Sequence, residues 1–528
     1  IRHGYIMKFY TSISRYGNQL LFRGYDNGKK IQQKIKYEPT FFVNTTKPSG
    51  WSALDGTKVA PVKFESMRDA KEWLQVNQQT AGRHIYGNNK HIPAYINEAF
   101  PGDIKFDRNL INVTSIDIEV QSDSGFPEPE EAAHEITAIG MKNNIDNTYY
   151  VWGLKPYDVE KTYMKDCRVV YKECATESQL LLEYIAHWSS PSQCPDVITG
   201  WNSRFFDIPY IVNRILRIHG EEFAKRLSPW GLVDRRDITT MQRKQCAYEI
   251  QGIAQMDYLE LFKKFGYSYG PQETYKLDHI AHVVLGENKL SYEEHGNLHK
   301  YDHQKFIDYN IKDVELVDRL EHKMGLITLA LTMAYRGGVN YGDVMGTTAI
   351  WDAIIFRNLY ANNVIVPFAE EKFKSPYPGG YVKDPKTGMH EWVVSFDLNS
   401  LYPSIIMQYN MSPETIISGK VGNVTVDKLS ESPVTPPRTS NECMAASGQY
   451  FTTDKQGILP KIIDQMYSER VVIKRQMIAA QKELEKVDKN NKTELYKIQR
   501  DISIAENQQM SIKILLNSLY GALGNKYF

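Results

Sequence analysis

Apolar and polar residues alternate through KFYTSISRYGNQLLFRGYD and KIQQKIKYEPTFFV, a period of two that predicts a β-rich start. The stretch SMRDAKEWLQVN, about 66–77, predicts a short helix. A strand, NVTSIDIEV, then opens a region of alternating strands and helices that runs to about residue 325 and predicts an α/β layer architecture. From Lys323 to about Tyr360 the pattern is helical and apolar. Pro367–Pro385, rich in Pro, Gly and Lys, reads as a linker or loop. The run EWVVSFDL predicts a strand, a turn follows it, and SLYPSII predicts a short helix. Ser430–Gln449 is rich in Pro, Ser and Thr and reads as an exposed loop. Two long helices around the polar break VDKNNK account for Ile458 to about Tyr520, and their alternating charges suit a solvated helical hairpin.

A chain of 528 residues exceeds one hydrophobic core, so three or four domains are expected. With 42% hydrophobic and 24% charged residues the composition is that of an ordinary globular protein. No apolar run is long enough to cross a bilayer, and Ile1–Tyr10 lacks the apolar core of a signal peptide, so a cytoplasmic protein with no membrane partner is expected. Five scattered cysteines without CxxC spacing argue against a disulfide framework and a structural zinc site. The 63 basic and 63 acidic residues cancel, which decides nothing about nucleic acid, because acidic metal sites can offset a basic groove. Ile1 is not a start residue, and Gly524–Phe528 follows an apolar helix without a polar tail; a fragment or one product of a split gene is expected.

Three acidic elements stand out. Asp117 and Glu119 lie at i and i+2 of TSIDIEV, on one face of a strand, where two carboxylates repel unless a cation sits between them; surface acids on an edge strand are the alternative. Asp207 in TGWNSRFFDIPYIVNRI stands where a helix begins, and a plain N-cap would account for it. Tyr309 and Asp313 share a face of HQKFIDYNIKDVELVDRLEH, as a hydrogen-bonded pair or as part of a site. Together the acids suit two-metal phosphodiester hydrolysis, in which ions about 3.5–4 Å apart activate a water and stabilise the leaving oxygen.

A second constellation begins at Asp397, which ends an apolar strand before the turn into SLYPSII. Its carboxylate can hold a metal, the N–H groups just after it can cradle phosphates, and Tyr402 lies close enough to press on a bound sugar. Arg470 and Lys474, and Lys513 and Asn517, are i, i+4 pairs on the two long helices, with Tyr520-Gly521 one turn on; such cations suit a triphosphate or are ordinary surface charges. Tyr377-Pro378-Gly379-Gly380 would make a type II turn.

SIDIEV, GWNSRFFDIPY and YNIKD, in this order, resemble the three exonuclease motifs of DnaQ-like proofreading domains in family B DNA polymerases, and GFPEP at Gly125–Pro129 is similar to their T-even phage branch. SFDLNSLYPSII resembles polymerase motif A, KILLNSLYG motif B, and YPGG the element between the two regions. The resemblance implies that Asp117, Glu119, Asp207 and Asp313 bind Mg²⁺ or Mn²⁺, two ions per site, that Tyr309 positions the water, and that Asn202 contacts the substrate strand. It implies that Asp397 and the Leu398 carbonyl bind metal, that the Ser400 and Leu401 amides touch the triphosphate, and that Tyr402 excludes a ribose 2′-OH. Arg470, Lys474 and Lys513 would bind dNTP phosphates, Asn517 and Tyr520 would line the nascent base pair, Gly521 would allow close approach, and Tyr377, Gly379 and Gly380 would hold template.

The implied fold is a multidomain α/β and α+β protein with a DnaQ/RNase H-like 3′-5′ exonuclease domain, a β-rich N-terminal domain, a partial palm and helical fingers. The expected division is 1–111 with a return at 326–368, then 112–325, 369–457, 458–523 and 524–528. Asp237–Gln255 would form a strand-separating hairpin. The implied partners are primer-template and single-stranded DNA, dNTPs, a sliding clamp and a complementing C-terminal part. The stretch between Arg470 and Lys513 is shorter than in T-even relatives, and neither a Y-x-D-T-D-like motif C nor a thumb follows motif B. One acid, Asp397, cannot assemble a two-metal synthesis site, so digestion without primer extension is expected. An incomplete palm sheet with unpaired edges and poor solubility are expected too. The competing readings are a stand-alone exonuclease with a vestigial palm, which the intact Asp397, Lys513 and Asn517 disfavour, and a non-catalytic DNA-binding subunit, which requires no ordered acids.

Overall fold

The structure is a computed structural model that describes every residue outside 1–6, 81, 122–126, 165–166, 241–242, 288–301, 369–381, 421–423, 425–427, 429–430, 432–440, 489–490 and 527. The chain forms two compact units, residues 1–37, 102–335 and 340–345 in the first, and 38–101, 336–339 and 346–528 in the second. The segment 1–111 is thus divided after Tyr37.

The first unit begins with an antiparallel sheet of Lys8–Tyr16, Gln19–Asp26 and Lys29–Lys36. Asn27 and Gly28 both take positive φ, as a tight hairpin turn between right-twisted strands requires. Arg23 in the middle strand is buried, and its guanidinium donates to the carbonyls of Pro195 at 2.5 Å, Gly252 at 2.9 Å and Cys194 at 3.3 Å. The Tyr25 hydroxyl donates to the buried Asp196 carboxylate at 2.7 Å, and Lys30 pairs with it at 3.1 Å.

The main sheet of this unit has six strands in the order Arg168–Glu173, Thr148–Gly153, Ile136–Asn143, Val113–Val120, Val197–Thr199, Ala254–Gln255. Val113–Val120 runs antiparallel to Ile136–Asn143 and parallel to Val197–Thr199. Strand alternation sorts its side chains. Ile116 and Ile118 join a core with Leu180, Tyr184 and Trp188 of helix Glu177–Trp188 and Ile208, Ile211 and Ile215 of helix Asp207–His219. On the other face Ala138, Tyr149 and Val151 pack against Ile307, Ile311 and Val314 of helix His303–Met324. That helix is closed by the Asp302 side chain, which accepts from the Lys305 N–H, and by Gly325 at φ +62°. The expected hairpin is present as Val233–Thr240 paired with Arg243–Ile250, while Ala254–Gln255 belongs to the main sheet.

In the second unit a five-stranded sheet is ordered Val364–Ile365, Trp51–Ala53, Lys58–Lys63, Thr40–Asn44, Ile85–Tyr86. Helix Met67–Asn77 starts where expected, with Ser66 accepting from the Asp69 N–H. The hairpin is Ile458–Leu484 and Lys492–Leu523. Ile512, Leu515, Leu516 and Leu519 bury one stripe of the second helix, and the Trp351 indole N–H of helix Thr347–Tyr360 donates to the Leu515 carbonyl at 3.1 Å.

Two expectations fail here. EWVVSFDL is not a strand: residues 393–398 have no regular structure, and Trp392, Val393, Val394 and Phe396 are 97%, 74%, 71% and 91% exposed. A strand needs a neighbour for its backbone N–H and C=O groups, and no described strand pairs with this run. The stretch 430–449 is not all loop: Glu442–Met444 pairs with Gln449–Thr452 across a turn in which the Gly448 N–H reaches the Ala445 carbonyl at 2.8 Å. A composition rich in turn formers concealed a hairpin, and residues 432–440 lie outside the described set. No helix among the described residues is long and apolar enough to cross a membrane.

Candidate active site

Asp117 and Glu119 stand on the central strand Val113–Val120, opposite Gly140 and Ala138, half-buried on the face that meets helix His303–Met324. An interior strand between two partners replaces the edge-strand alternative. That helix contributes Tyr309, half-buried, and Asp313, buried. Its Asn310, fully buried, donates from Nδ2 to the Asp117 carboxylate at 2.8 Å and to the Asp117 carbonyl at 3.2 Å. The loop before Arg168–Glu173 holds the same helix from outside: the Tyr157 hydroxyl donates to Asp308 at 2.7 Å and the Tyr163 hydroxyl to Glu315 at 2.9 Å.

Asp207 is not the N-cap of its helix. It is the first helical residue, Phe206 is the cap, and no side chain closes the turn. Its carboxylate instead accepts the Ile118 N–H at 3.0 Å, tying the helix start to the strand between Asp117 and Glu119. Burial pushes the Asp207 carboxyl up to about 7; the Ile118 N–H opposes this, and the charges of Asp257 and Asp313 add to it.

Asn202 takes a left-handed backbone, φ +68°, in the turn after Val197–Thr199. Asp257 organises that turn, accepting the N–H groups of Asn202 at 3.1 Å and Arg204 at 3.0 Å while capping its own helix through Leu259 at 2.9 Å. Burial raises its carboxyl to about 6.

The donor set is all oxygen, which suits a hard divalent cation, and mutually repelling buried acids are what such a cation would neutralise. As they stand, no three His, Cys, Asp or Glu side chains among the described residues are gathered tightly enough to hold an ion.

The second constellation is assembled in part. Asp397 and Leu398 are exposed on the irregular run, and Ser400, at φ +51°, precedes helix Leu401–Gln408 without capping it through its side chain. Tyr402 stacks on Tyr520, ring centroids 4.6 Å apart and planes 10° from parallel. Arg470 and Lys474 lie on the first long helix, and Lys513, Asn517 and Gly521 on the second. Lys513 is half-buried, while Lys474 and Asn517 are exposed. Tyr377, Gly379, Gly380, Gly125 and Phe126 lie outside the described residues.

Comparison with known families gives two matches: "DNA polymerase family B, exonuclease domain" over residues 69–280 and "DNA polymerase family B" over residues 346–527. The "DNA-directed DNA polymerase" of Enterobacteria phage T4 is 33% identical, covering 99% of this chain and 64% of its own length. This chain belongs to DNA polymerase family B. The "DNA-directed DNA polymerase" of Escherichia phage RB69 is 32% identical with the same coverage, and "DNA polymerase II" of Escherichia coli (strain K12) is 24% identical over 74% of the chain and 44% of its own length. The chain thus spans 64% of the length of the two phage polymerases it matches.

Sequence reasoning missed three residues of this candidate site. Asn310 lay inside the YNIKD string, but its contact with Asp117 joins positions 193 residues apart. Gly140 carried no signal of its own. Asp257, ahead of YLELFKKF, did carry an N-cap signal, but not its second use in holding the Asn202 turn.

Proposed function

We propose that this chain is the 3′-5′ proofreading and nucleotide-receiving portion of a replicative DNA-directed DNA polymerase, and that it digests DNA from a 3′ end. The observation that carries the reading is the convergence of three acid-bearing elements, with Asp207 bonded to the Ile118 amide and the Asp313 helix bonded through Asn310 to Asp117. Asp117, Glu119, Asp207 and Asp313 would hold Mg²⁺ or Mn²⁺, which supplies an activated water and charge for the leaving oxygen. Tyr309 orients the water, and the Asn202 turn receives the single strand, whose unpaired 3′ end reaches the site more often when mismatched.

Asp397 with Leu398, the Ser400 and Leu401 amides, Tyr402, and Arg470, Lys474 and Lys513 form the nucleotide side of the reading. Asn517, Tyr520, Gly521 and Tyr377-Gly379-Gly380 face DNA in it. Division into an N-terminal domain, exonuclease, palm and fingers belongs to the same reading, as do a sliding clamp, a complementing polymerase segment and a cytoplasmic setting.

The test is Mg²⁺-dependent digestion of a 5′-labelled single-stranded oligonucleotide, beside the Asp117→Ala/Glu119→Ala variant. A 3′-5′ ladder that falls more than about a hundredfold in the variant is expected. An undiminished ladder in the variant, or no digestion by the parent chain, overturns the reading.

A further inference from the structure

The geometry points to Asn310 as a positioning residue for Asp117, working through a socket that only glycine at position 140 leaves open. The inference rests on the reading of Asp117 as a metal ligand and names what aims that ligand.

Asn310 is fully buried on a helix face otherwise lined by Ile307, Ile311 and Val314, where an aliphatic side chain would pack without polar cost. The structure keeps an amide there although its Oδ1 has no hydrogen-bond partner among the described residues. What the amide gains is two bonds from Nδ2, to the backbone carbonyl and the carboxylate of Asp117. Both partners are acceptors, so the orientation of the amide is forced. A side chain fastened at once to an aspartate's carbonyl and to its carboxylate fixes that carboxylate's rotation relative to the strand.

Room for the amide comes from the neighbouring strand. Gly140 is the register partner of Asp117. A Cβ on Gly140 would collide with Asn310 Oδ1 and stand 3.0 Å from its Cγ, with Val314 Cγ2 at 3.4 Å. Its φ is not in the left-handed region, so close approach rather than backbone conformation requires glycine here. Acceptor, donor and the space for the donor therefore come from three separate segments, all meeting at Asp117.

The experiment measures Mn²⁺ binding by calorimetry without DNA, alongside the Mg²⁺ dependence of oligonucleotide digestion, in the parent chain and in Asn310→Leu, Gly140→Ala and Asp117→Ala. Asn310→Leu keeps the branched shape, with slightly larger end groups, and removes the donor. It is expected to weaken Mn²⁺ binding and to raise the Mg²⁺ needed for half-maximal digestion by about tenfold, the scale of losing a hydrogen bond that orients a metal ligand. Excess metal should restore much of the rate, and the thermal midpoint should not fall in proportion. Gly140→Ala leaves every polar group in place and is expected to shift both metal readouts in the same direction, which decides the matter should Asn310→Leu fail to fold. Parent-like metal binding and digestion in Asn310→Leu and Gly140→Ala, with Asp117→Ala inactive, overturns the inference and leaves the exonuclease reading standing. Parent-like behaviour of Asp117→Ala overturns that reading and the inference with it.

Discussion

VTSIDIEV and EWVVSFDL both carry a run of strand-forming residues up to an aspartate, yet one is the centre of a six-stranded sheet and the other has no regular structure. Asp117 is held by Asn310, and its neighbouring amide at Ile118 by Asp207. Asp397 stands exposed among Trp392, Phe396 and Leu398, themselves 97%, 91% and 69% exposed. The difference does not lie in the residues of the two runs, whose local preferences agree. It lies in whether strands flank them, since strand preference expresses packing against neighbours more than a property of the backbone. An acid carried on such a run inherits its placement from the same source.

Truncating aromatics in the two regions is the strongest way to break this comparison. Trp188 is fully buried under the first sheet, and its indole N–H reaches the Leu227 carbonyl at 2.7 Å. Trp188→Ala is expected to cost about 3–5 kcal/mol in urea unfolding of that unit. Phe396→Ala is expected to change stability by less than about 0.5 kcal/mol. A large loss on Phe396→Ala would show that the exposed run is packed after all.

A smaller effect sharpens the electrostatic side of the contrast. The Asp257 carboxyl lies at about 6 in the fold, above its ordinary 3.8. A raised value means that the fold prefers the neutral form, so this contribution is fully present below pH 3.8 and is lost as pH rises through 6. Two units correspond to about 3 kcal/mol. Urea midpoints at pH 4.5 and 7 should therefore show a steeper decline in the parent chain than in Asp257→Asn, and equal declines would refute the assignment. A smaller effect again belongs to the aromatic pair of the exposed region. Tyr402 and Tyr520 stack there at 44% and 38% exposure, and a double-mutant cycle with leucine at both positions should give a coupling of about 0.5–1.5 kcal/mol at most.

Elements whose signal is local were legible in the chain. The stripe Ile512, Leu515, Leu516, Leu519 and the cap at Ser66 needed only neighbours in sequence, and the helices formed where the spacing placed them. The acids of the first site were legible as types and spacings. Their fastenings were not: Asp207 reads as a cap from its position before Ile208-Pro209, and only the folded sheet shows its carboxylate crossing to Ile118. Gly140 and Asn310 are separated by a stretch of alternating strands and helices, and neither residue alone announces the other. The failed strand at 393–398 and the concealed one at Glu442–Met444 have the same origin, since pairing partners are set by tertiary contacts that composition does not record.

The grip of Arg23 on Pro195, Gly252 and Cys194, with Tyr25 and Lys30 on Asp196, bears on how this molecule can be dissected. The matched exonuclease stretch, 69–280, looks like a natural piece to excise. Cutting there removes the guanidinium from three carbonyls and strips a buried carboxylate of its cations and its phenol. A workable excised piece has to carry the hairpins from Lys8 to Lys36 and helix His303–Met324 along with it, because the surfaces it would otherwise expose are a buried polar seam and the face that holds Asp117.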